Sequence, residues 1–343
     1  MNTLSILVIS HNQREQLRRC VESVLSQDLP FEHEIVISDD ASSDGTWELA
    51  QEYARKFEYI KAYQCNSNDC NPTTTSERSG HNRSNAYLHS SGKYFVHIDA
   101  DDFYRPGADC LIRQVELLEE HHECSMCMQN DWWWNEGDPL EKGGSNHKLH
   151  QFATGHIVSV QEYFATNLFT NNGVMMMRRQ NDVNPAELYH KWYVDTIITA
   201  HHLQYGPIVC LDRNDWIYSQ SPQTITNAIK KNDRMLLWGL DVTVFSSMLV
   251  QKLKKHFYSN PSSVSQLLDA VRLVLGGGAF SDNIISFCRQ FDNVFIFHCA
   301  ASPSLTGMER CRLMVLREYI KHFIKKQKFD SAFCRNLLHR LCV

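Results

Sequence analysis

The sequence lacks a long apolar run. Residues 294–301 are among its longest apolar candidates, but they fall far short of the roughly 20 residues that a membrane-spanning helix needs, and they include His298. The sequence also lacks an excess of basic residues, since the formal net charge is −5. We therefore expect neither a transmembrane segment nor a general nucleic-acid-binding protein.

The N-terminus lacks both the basic region and the small-residue cleavage site of a secretory signal. Met1, Asn2 and Thr3 lead directly into an apolar stretch at residues 4–9, which predicts a first strand in a cytoplasmic protein. The 12 cysteines follow no regular spacing, and in the cytosol this is typical of buried thiols rather than disulfides. Cys124 and Cys127 form a Cys-x-x-Cys pair, but no second pair lies at zinc-finger spacing, which favours structural thiols over a zinc site.

Low-complexity tracts are also absent. With 43% hydrophobic residues, 15 Gly and 9 Pro, the composition is that of an ordered globular protein. A chain of 343 residues has room for two units, at roughly 150 residues per domain. We predict a first domain at residues 1–228 and a mainly helical C-terminal region at residues 229–343.

The end of the chain is basic. Residues 309–343 contain nine Lys or Arg against three acidic residues, and apolar residues recur there at helical spacing. Two amphipathic helices are the simplest interpretation. They either pack on the main domain with their basic face solvated or rest on an anionic membrane surface.

Strand-like and helix-like segments alternate over the first 110 residues, which favours a largely parallel sheet. The predicted strands are residues 4–10, 34–38, 59–64 and 94–98, and the predicted helices are residues 14–26, 47–56 and 82–89. A polar loop is predicted at residues 66–79, and a further buried strand at residues 124–130.

Acidic residues follow two of these strands. Asp39 and Asp40 end one strand, and Asp99, Asp101 and Asp102 end another. Ligands bind at the carboxyl edge of an open parallel sheet. Carboxylates clustered there repel one another, so a bound cation or a hydrogen-bonded ligand would stabilise them. The alternative is a solvated turn that opens the next helix. The occurrence of both clusters favours a ligand site.

Several motifs occur together in the order and spacing of a known family. They are SHN at residues 10–12, EIVISDDASSDGT at 34–46, GHNR at 80–83, SSGKY at 90–94 and DADD at 99–102. In this combination the chain, from about residue 4 to 225, resembles the family 2 glycosyltransferases. The resemblance implies the GT-A nucleotide-sugar-binding fold, an α/β fold with a mostly parallel central sheet and helices on both faces, followed here by the helical extension.

The resemblance also implies roles for individual residues. Asp39 matches the carboxylate that accepts a hydrogen bond from uracil, and Arg83 matches an arginine that contacts the nucleotide. Asp101 matches the metal ligand of the DXD motif, with Asp99 nearer the ribose and the water shell of the metal. Ser10 and Asn12 belong to the first nucleotide-binding motif. Hard oxygen ligands favour Mg or Mn.

Asp195 matches the general base, because it follows the VMMMRR stretch at residues 174–179 at the expected interval. A helix N-cap is the alternative role for Asp195. Val194 stands where the family commonly has Glu.

The chain departs from the family again at residues 218–221, which read YSQS where a Tyr-Arg-x-His run is usual. The missing diphosphate-binding groups at Ser219 and Ser221 leave His201, His202, Arg213, Lys230 or the metal to replace them. A catalytically weak sugar-nucleotide-binding or scaffold protein therefore stays open.

The resemblance implies an inverting, metal-assisted transfer of a hexosyl or N-acetylhexosaminyl group from a nucleotide sugar, a UDP-sugar by analogy. The acceptor is a glycan or a lipid-linked glycan, and bacterial surface-polysaccharide assembly at the inner membrane face is the implied setting. A sugar nucleotidyltransferase is less favoured, because no glycine-rich loop follows the first strand. Trp132, Trp133 and Trp134 either pack or present one ring to a sugar.

Overall fold

The computed structural model of the chain describes residues 2–70, 75–145, 152–159, 162–163, 171–181, 198–199, 202–203 and 205–221. The backbone separates into two compact units, and the described residues lie almost entirely in the first, Met1–Val160 with Leu168–Pro222. The predicted helical region at residues 229–343, with its basic end at residues 309–343, lies outside the described residues. The boundary after residue 228 stays a prediction.

The first unit is built from strands and helices that alternate along its N-terminal half. The helices are α1 (Arg14–Leu25), α2 (Thr46–Lys56), α3 (Thr75–Leu88) and α4 (Cys110–Glu120). The strands are β1 (Leu4–Ser10), β2 (His33–Asp40), β3 (Ile60–Cys65), β4 (Tyr94–Asp99), β5 (Phe103–Tyr104), β6 (Met126–Asn135), β7 (Gly144–Ser145), β8 (Ile157–Val158), β9 (Met175–Arg178) and β10 (Ile208–Gln220). Short 3-10 turns occupy Ser67–Cys70, Leu140–Lys142 and Asn172–Val174.

The strands form one mixed sheet in the order β3-β2-β1-β4-β9-β6-β10-β5. The four N-terminal strands pair in parallel, as do β6 and β10, whereas β9 runs antiparallel between β4 and β6. Because β9 is antiparallel to both neighbours, β4 and β6 run in the same direction. The carboxyl ends of β1, β2, β4, β6 and β10 therefore lie at one edge of the sheet.

The hydrophobic core lies on both faces of the central strands. Every residue of β1 is buried, which is what its continuous apolar run predicts for a strand covered on both sides. Helix α1 turns Leu17, Cys20, Val21 and Val24 inward at the three- and four-residue spacing of one helix face. Among the described residues, no helix has both the length and the apolar character to cross a bilayer.

Two predicted boundaries differ from the structure. Helix α3 begins at Thr75 rather than near Asn82. Its first turns carry Arg78, whose guanidinium binds the buried Asp40 at 2.9 Å, a tertiary contact that local sequence does not reveal. Strand β6 runs through the tryptophans to Asn135 because they pair with β10, whereas the sequence predicted that the strand ends before them.

Candidate functional site

The polar residues predicted as a site gather where β1, β2 and β4 end. Ser10, the last residue of β1, is in register with Asp39 of β2, and its neighbour Ile9 is in register with Asp99 of β4. The parallel pairing places these strand ends side by side. Two acidic clusters that are 60 residues apart in the sequence therefore share one edge of the sheet.

Asp39 is fully buried and is held by the loops that surround it. Its carboxylate accepts hydrogen bonds from the Ser10 hydroxyl at 3.1 Å and from the Ser42 backbone N–H at 3.0 Å. Asn12, which has a φ of 53°, donates its backbone N–H to the Ser42 hydroxyl at 2.8 Å. Asn tolerates this left-handed conformation better than most residues. Ser10, Asn12 and Asp39 thus form one hydrogen-bonded group through Ser42.

The neighbouring Asp40 has a structural role. Its carboxylate accepts from the Ser67 backbone N–H at 2.8 Å and from the Arg78 guanidinium, and its side chain is 4% exposed. These partners bind it to the β3 side of the sheet and to α3. Of the first acidic pair, only Asp39 belongs to the candidate site.

Arg83 and Asp99 form an ion pair at the end of β4. One guanidinium nitrogen, Nη2, lies 2.6 Å and 2.8 Å from the two carboxylate oxygens. The Arg83 side chain is 5% exposed, whereas the Asp99 side chain is 41% exposed. Helix α3 therefore supplies a buried cation that fixes an accessible carboxylate, and charge-assisted bonds of this length are strong.

The two following carboxylates are held in an environment that disfavours their charge. Burial, reinforced by the charge of Asp99, raises the pKa of Asp101 to about 7. Burial, then Asp101 and Asp99, raises the pKa of Asp102 as well, although its carboxylate accepts the Ser219 backbone N–H at 2.9 Å. A cation that bound here would favour the ionised form of both groups.

Arg19 of α1 is a site residue that the sequence did not predict. Its Nη2 donates to the backbone carbonyl of Asp101 at 2.8 Å and reaches the Ser219 hydroxyl at 3.4 Å. The guanidinium carbon lies 4.5 Å from the ring centroid of Phe103 and 5.2 Å from that of Trp134. These partners are distant in sequence, and no local motif marks an arginine on the polar side of a helix as one that will reach them.

In the structure, the described residues that were proposed to replace the missing groups near Ser219 have other partners. His202 is buried, and its Nδ1 is 2.9 Å from the Ile198 carbonyl. Arg213 instead pairs with Asp109 and Asp215. His201, Lys230 and the predicted base Asp195 lie outside the described residues. Within the described part of the chain, Arg19 contacts Ser219 through its guanidinium.

The donor set at this edge fits a hard divalent cation. Asp99 and Asp101 offer carboxylate oxygens, which Mg and Mn prefer. Within the described part of the chain, no group of three His, Cys, Asp or Glu could hold a metal ion. The protein would therefore supply few ligands, and Mg in particular commonly takes the rest from phosphates and water.

Comparison with known proteins gives one family and several distant relatives. The family model described as "Glycosyl transferase family 2" matches residues 5–181. An uncharacterized protein of Mycobacterium tuberculosis (strain ATCC 25618 / H37Rv) is 24% identical over 242 residues, 68% of this chain and 63% of that protein. The poly(ribitol-phosphate) beta-glucosyltransferase of Bacillus spizizenii is 26% identical over 119 residues, 34% of this chain and 17% of that enzyme. This chain thus matches less than two thirds of the length of either relative.

Among solved structures, that of residues 1–349 of Staphylococcus aureus TarS in complex with UDP-GlcNAc is similar, with a TM-score of 0.57. The alignment covers 98% of this chain and 90% of that one at 16% sequence identity. A likeness at this identity concerns the fold, and it confirms the predicted GT-A fold.

Proposed function

The chain belongs to glycosyl transferase family 2, and we propose that it transfers a sugar from a UDP-sugar to a hydroxyl of a glycan or lipid-linked glycan. The transferred group is a hexose or an N-acetylhexosamine, and the transfer inverts the anomeric carbon. One relative is a beta-glucosyltransferase that acts on poly(ribitol-phosphate), and TarS has a structure with UDP-GlcNAc. These relatives support a role in bacterial surface-polysaccharide assembly.

One observation carries the proposal. The Arg83–Asp99 ion pair and Asp101, whose pKa is raised, lie beside the Ser10–Asp39 group at one edge of the sheet. A nucleoside diphosphate needs acceptors for its base and ribose, and a cation for its phosphates. Asp39, Asp99 and Asp101 lie at this edge, and the Arg83 guanidinium pairs with Asp99 alone, so a bound cation that offsets the remaining charge would be favourable.

In the proposed complex, Asp39 accepts a hydrogen bond from uracil, and Ser10 and Asn12 line the nucleotide site. Arg83 contacts the nucleotide and keeps Asp99 oriented toward the ribose. Asp99 and Asp101 would hold Mg or Mn. When bound, that ion supplies positive charge to the leaving diphosphate.

The proposed chemistry is a single displacement, and Asp195 has the role of general base. The acceptor oxygen forms a bond to the anomeric carbon while the bond from that carbon to the phosphate oxygen breaks. Asp195 takes the proton of the acceptor hydroxyl, and the electron pair leaves with UDP. A general base of this kind contributes roughly 10²- to 10⁴-fold in rate.

A panel of nucleotide sugars and an Asp195→Asn variant together test the function. We expect UDP-sugars to raise the melting temperature of the wild type with Mn present, more than GDP-sugars do. We expect Asp195→Asn to keep this stabilisation and to lose at least 100-fold in transfer of labelled sugar to glycan acceptors. Unchanged transfer by the variant would exclude Asp195 as the base.

The same experiment separates the alternatives. Donor binding without transfer by the wild type would indicate the sugar-nucleotide-binding or scaffold protein. Formation of a UDP-sugar from UTP and a sugar 1-phosphate would indicate a nucleotidyltransferase. Neither result is expected.

We further propose that the enzyme works in the cytoplasm at the inner membrane face, through residues 309–343. Nine basic residues in that segment would favour anionic lipid, at about 1 kcal/mol for each one near the surface. In flotation with anionic vesicles, the double variant Lys325→Glu/Lys326→Glu should be recovered less than the wild type. Equal recovery would count against this membrane contact.

A further inference from the structure

The three consecutive tryptophans of β6 are held in different ways. Trp132 donates its indole N–H to the Leu140 carbonyl at 3.0 Å, and the Arg105 guanidinium lies 4.5 Å from its ring centroid. Trp134 donates to the Asp138 carbonyl at 2.8 Å and packs edge-on against Phe103. Both rings are thus engaged within the protein, on the face of the strand opposite to Trp133.

Trp133 is 41% exposed, and its orientation is nevertheless fixed. Its indole N–H donates to a carboxylate oxygen of Asp131 at 2.7 Å, and Asp131 is 2% exposed. Asp131 lies two residues earlier in the strand and therefore on the same face. A large exposed aromatic ring that is anchored on a buried carboxylate is already oriented for a ligand, so little side-chain entropy is lost on binding.

A second ring extends this surface. Tyr218 of β10 is in register with Trp133 of β6, and the two ring centroids are 5.2 Å apart with an interplanar angle of 60°. Trp216, two residues earlier in β10, makes a stacked contact with Tyr218, and the two ring centroids are 5.7 Å apart. Gly173 packs on Trp216 so closely that an added Cβ would lie 2.2 Å from that indole. Trp216, which is 1% exposed, therefore packs beside Tyr218 on the same face of β10.

This aromatic surface lies next to the acidic run, Asp99 to Asp102, and away from Ser10 and Asp39. Ser219, the next residue after Tyr218, donates its backbone N–H to Asp102. Ser10, Asp39 and Asp99 end β1, β2 and β4, whereas Trp133 and Tyr218 lie on β6 and β10, beyond β9 in the sheet order. The polar residues and the aromatic residues therefore lie on different strands of the same sheet.

We propose that Trp133 and Tyr218 form the binding surface for a pyranose ring of the acceptor, which stacks its C–H face on Trp133. This inference rests on the proposed function, because it takes the polar side of the edge for the donor. A pyranose presents a flat apolar face together with polar hydroxyls at its rim, which an aromatic floor with a polar border matches. Asp131 is a positioning residue that holds the indole in place. A linear polyol has no ring face to stack.

Saturation-transfer NMR with three probes tests the inference: methyl β-D-glucopyranoside, methyl N-acetyl-β-D-glucosaminide and ribitol. Each probe is measured on the full chain, with and without UDP and Mg. We expect saturation of the ring protons of one or both glycosides and much weaker saturation of ribitol. Trp133→Leu should weaken glycoside binding about tenfold, whereas Trp133→Phe should largely restore it.

Leu88→Ala is the matched control, because Leu88 is another exposed apolar side chain, 65% exposed, on α3. It should bind the glycosides like the wild type. UDP affinity, measured by calorimetry, should be unchanged in all three variants, and this also shows that each is folded.

Glycoside binding that is equal in the wild type and Trp133→Leu would overturn the inference, as would ribitol saturation as strong as that of the glycosides. Absence of glycoside binding to a wild type that binds UDP would overturn it too. Glycoside binding that depends on Trp133 in a protein without affinity for UDP would instead contradict the proposed donor site alone.

Discussion

Two arginines lie against the acidic run, and they bind different parts of it. Arg83 from α3 pairs with the carboxylate of Asp99 and offsets its negative charge. Arg19 from α1 binds the backbone carbonyl of Asp101 and reaches the Ser219 hydroxyl. Arg19 therefore joins the turn that carries Asp101 to the end of β10, where the family pattern has an arginine that this chain lacks.

At the residue scale, this contact predicts that Arg19→Gln weakens UDP binding in the presence of Mn about tenfold, because Asp101 loses its backbone support. Arg18→Gln is the matched control, since Arg18 is the neighbouring residue of α1 and its guanidinium pairs only weakly, at 3.7 Å, with Glu15. Calorimetric titration of UDP gives both affinities. Equal affinities for the two variants would show that Arg19 does not support the site.

A second prediction at this scale concerns Glu34, which is 1% exposed. Although burial opposes ionisation, hydrogen bonds from Lys61, Ser91 and Ser5 lower the pKa of Glu34 to about 2. A carboxyl whose pKa is depressed on folding stabilises the protein fully above its unfolded pKa. This contribution, on the order of 3 kcal/mol, is lost progressively as the pH falls from the unfolded pKa through about 2.

The measurement is the free energy of unfolding by urea between pH 7 and pH 2.5. The difference between the wild type and Glu34→Gln should be large at pH 7 and should shrink below about pH 4.5. Glu119→Gln, which breaks the half-exposed pair with Lys93, should cost much less. A difference for Glu34→Gln that stays constant with pH would contradict the assigned pKa.

At the scale of the elements, the start of β4 is packed against β1 through Gly92. Its backbone N–H donates to the Ser5 hydroxyl at 2.8 Å, and an added Cβ would lie 2.6 Å from the Ser5 backbone nitrogen. Since backbone in the middle of a sheet cannot move without disturbing its neighbours, a side chain here would displace β4. Asp99, the last residue of β4, and Asp101, two residues further on, would move with it.

We therefore predict that Gly92→Ala lowers the free energy of unfolding by about 2 kcal/mol and also weakens UDP binding. Gly144→Ala is the control, because a Cβ on Gly144 of β7 would meet no atom within 4 Å. Urea unfolding and calorimetry give the two quantities. If Gly92→Ala proves as stable as Gly144→Ala, the close contact between β1 and β4 is not as described.

The N-terminal elements could be predicted from sequence because their signals are local. The strand predicted at residues 4–10 is β1, and the predicted helices at residues 14–26 and 47–56 are α1 and α2, to within one residue at their ends. Strand β5 has only two residues, Phe103 and Tyr104, and exists through its pairing with β10. Such a short strand has no periodicity of its own, so it could not be predicted in the same way, whereas the strand predicted at residues 124–130 is the first part of β6.

The same difference between local sequence signals and long-range contacts applies to the candidate site. Asp39, Arg83, Asp99 and Asp101 were predictable because each belongs to a motif of a few residues. The contacts of Arg19 could not be predicted, because they join residues 82 and 200 positions apart. The exposure of Trp133 could not be predicted either, because its neighbours Trp132 and Trp134 are held by contacts with Arg105 and Phe103.

At the scale of the whole molecule, the proposed activity depends on one property: the edge of the sheet that carries Asp39, Arg83, Asp99 and Asp101 binds a nucleoside diphosphate together with a divalent cation. The family and the geometry of this edge support this proposal. The membrane contact and the acceptor surface are separate proposals, since either could fail while donor binding remained.

The most direct measurement is a calorimetric titration of UDP with Mn into the wild type, Asp101→Asn and Asp28→Asn. Asp28 is an exposed loop aspartate outside the site, with a φ of 47° that Asn also tolerates, so it controls for the loss of a carboxylate. We expect Mn-dependent binding to the wild type and Asp28→Asn, and at least tenfold weaker binding to Asp101→Asn. Equal affinity of all three proteins for UDP, or no binding to the wild type, would contradict this proposal.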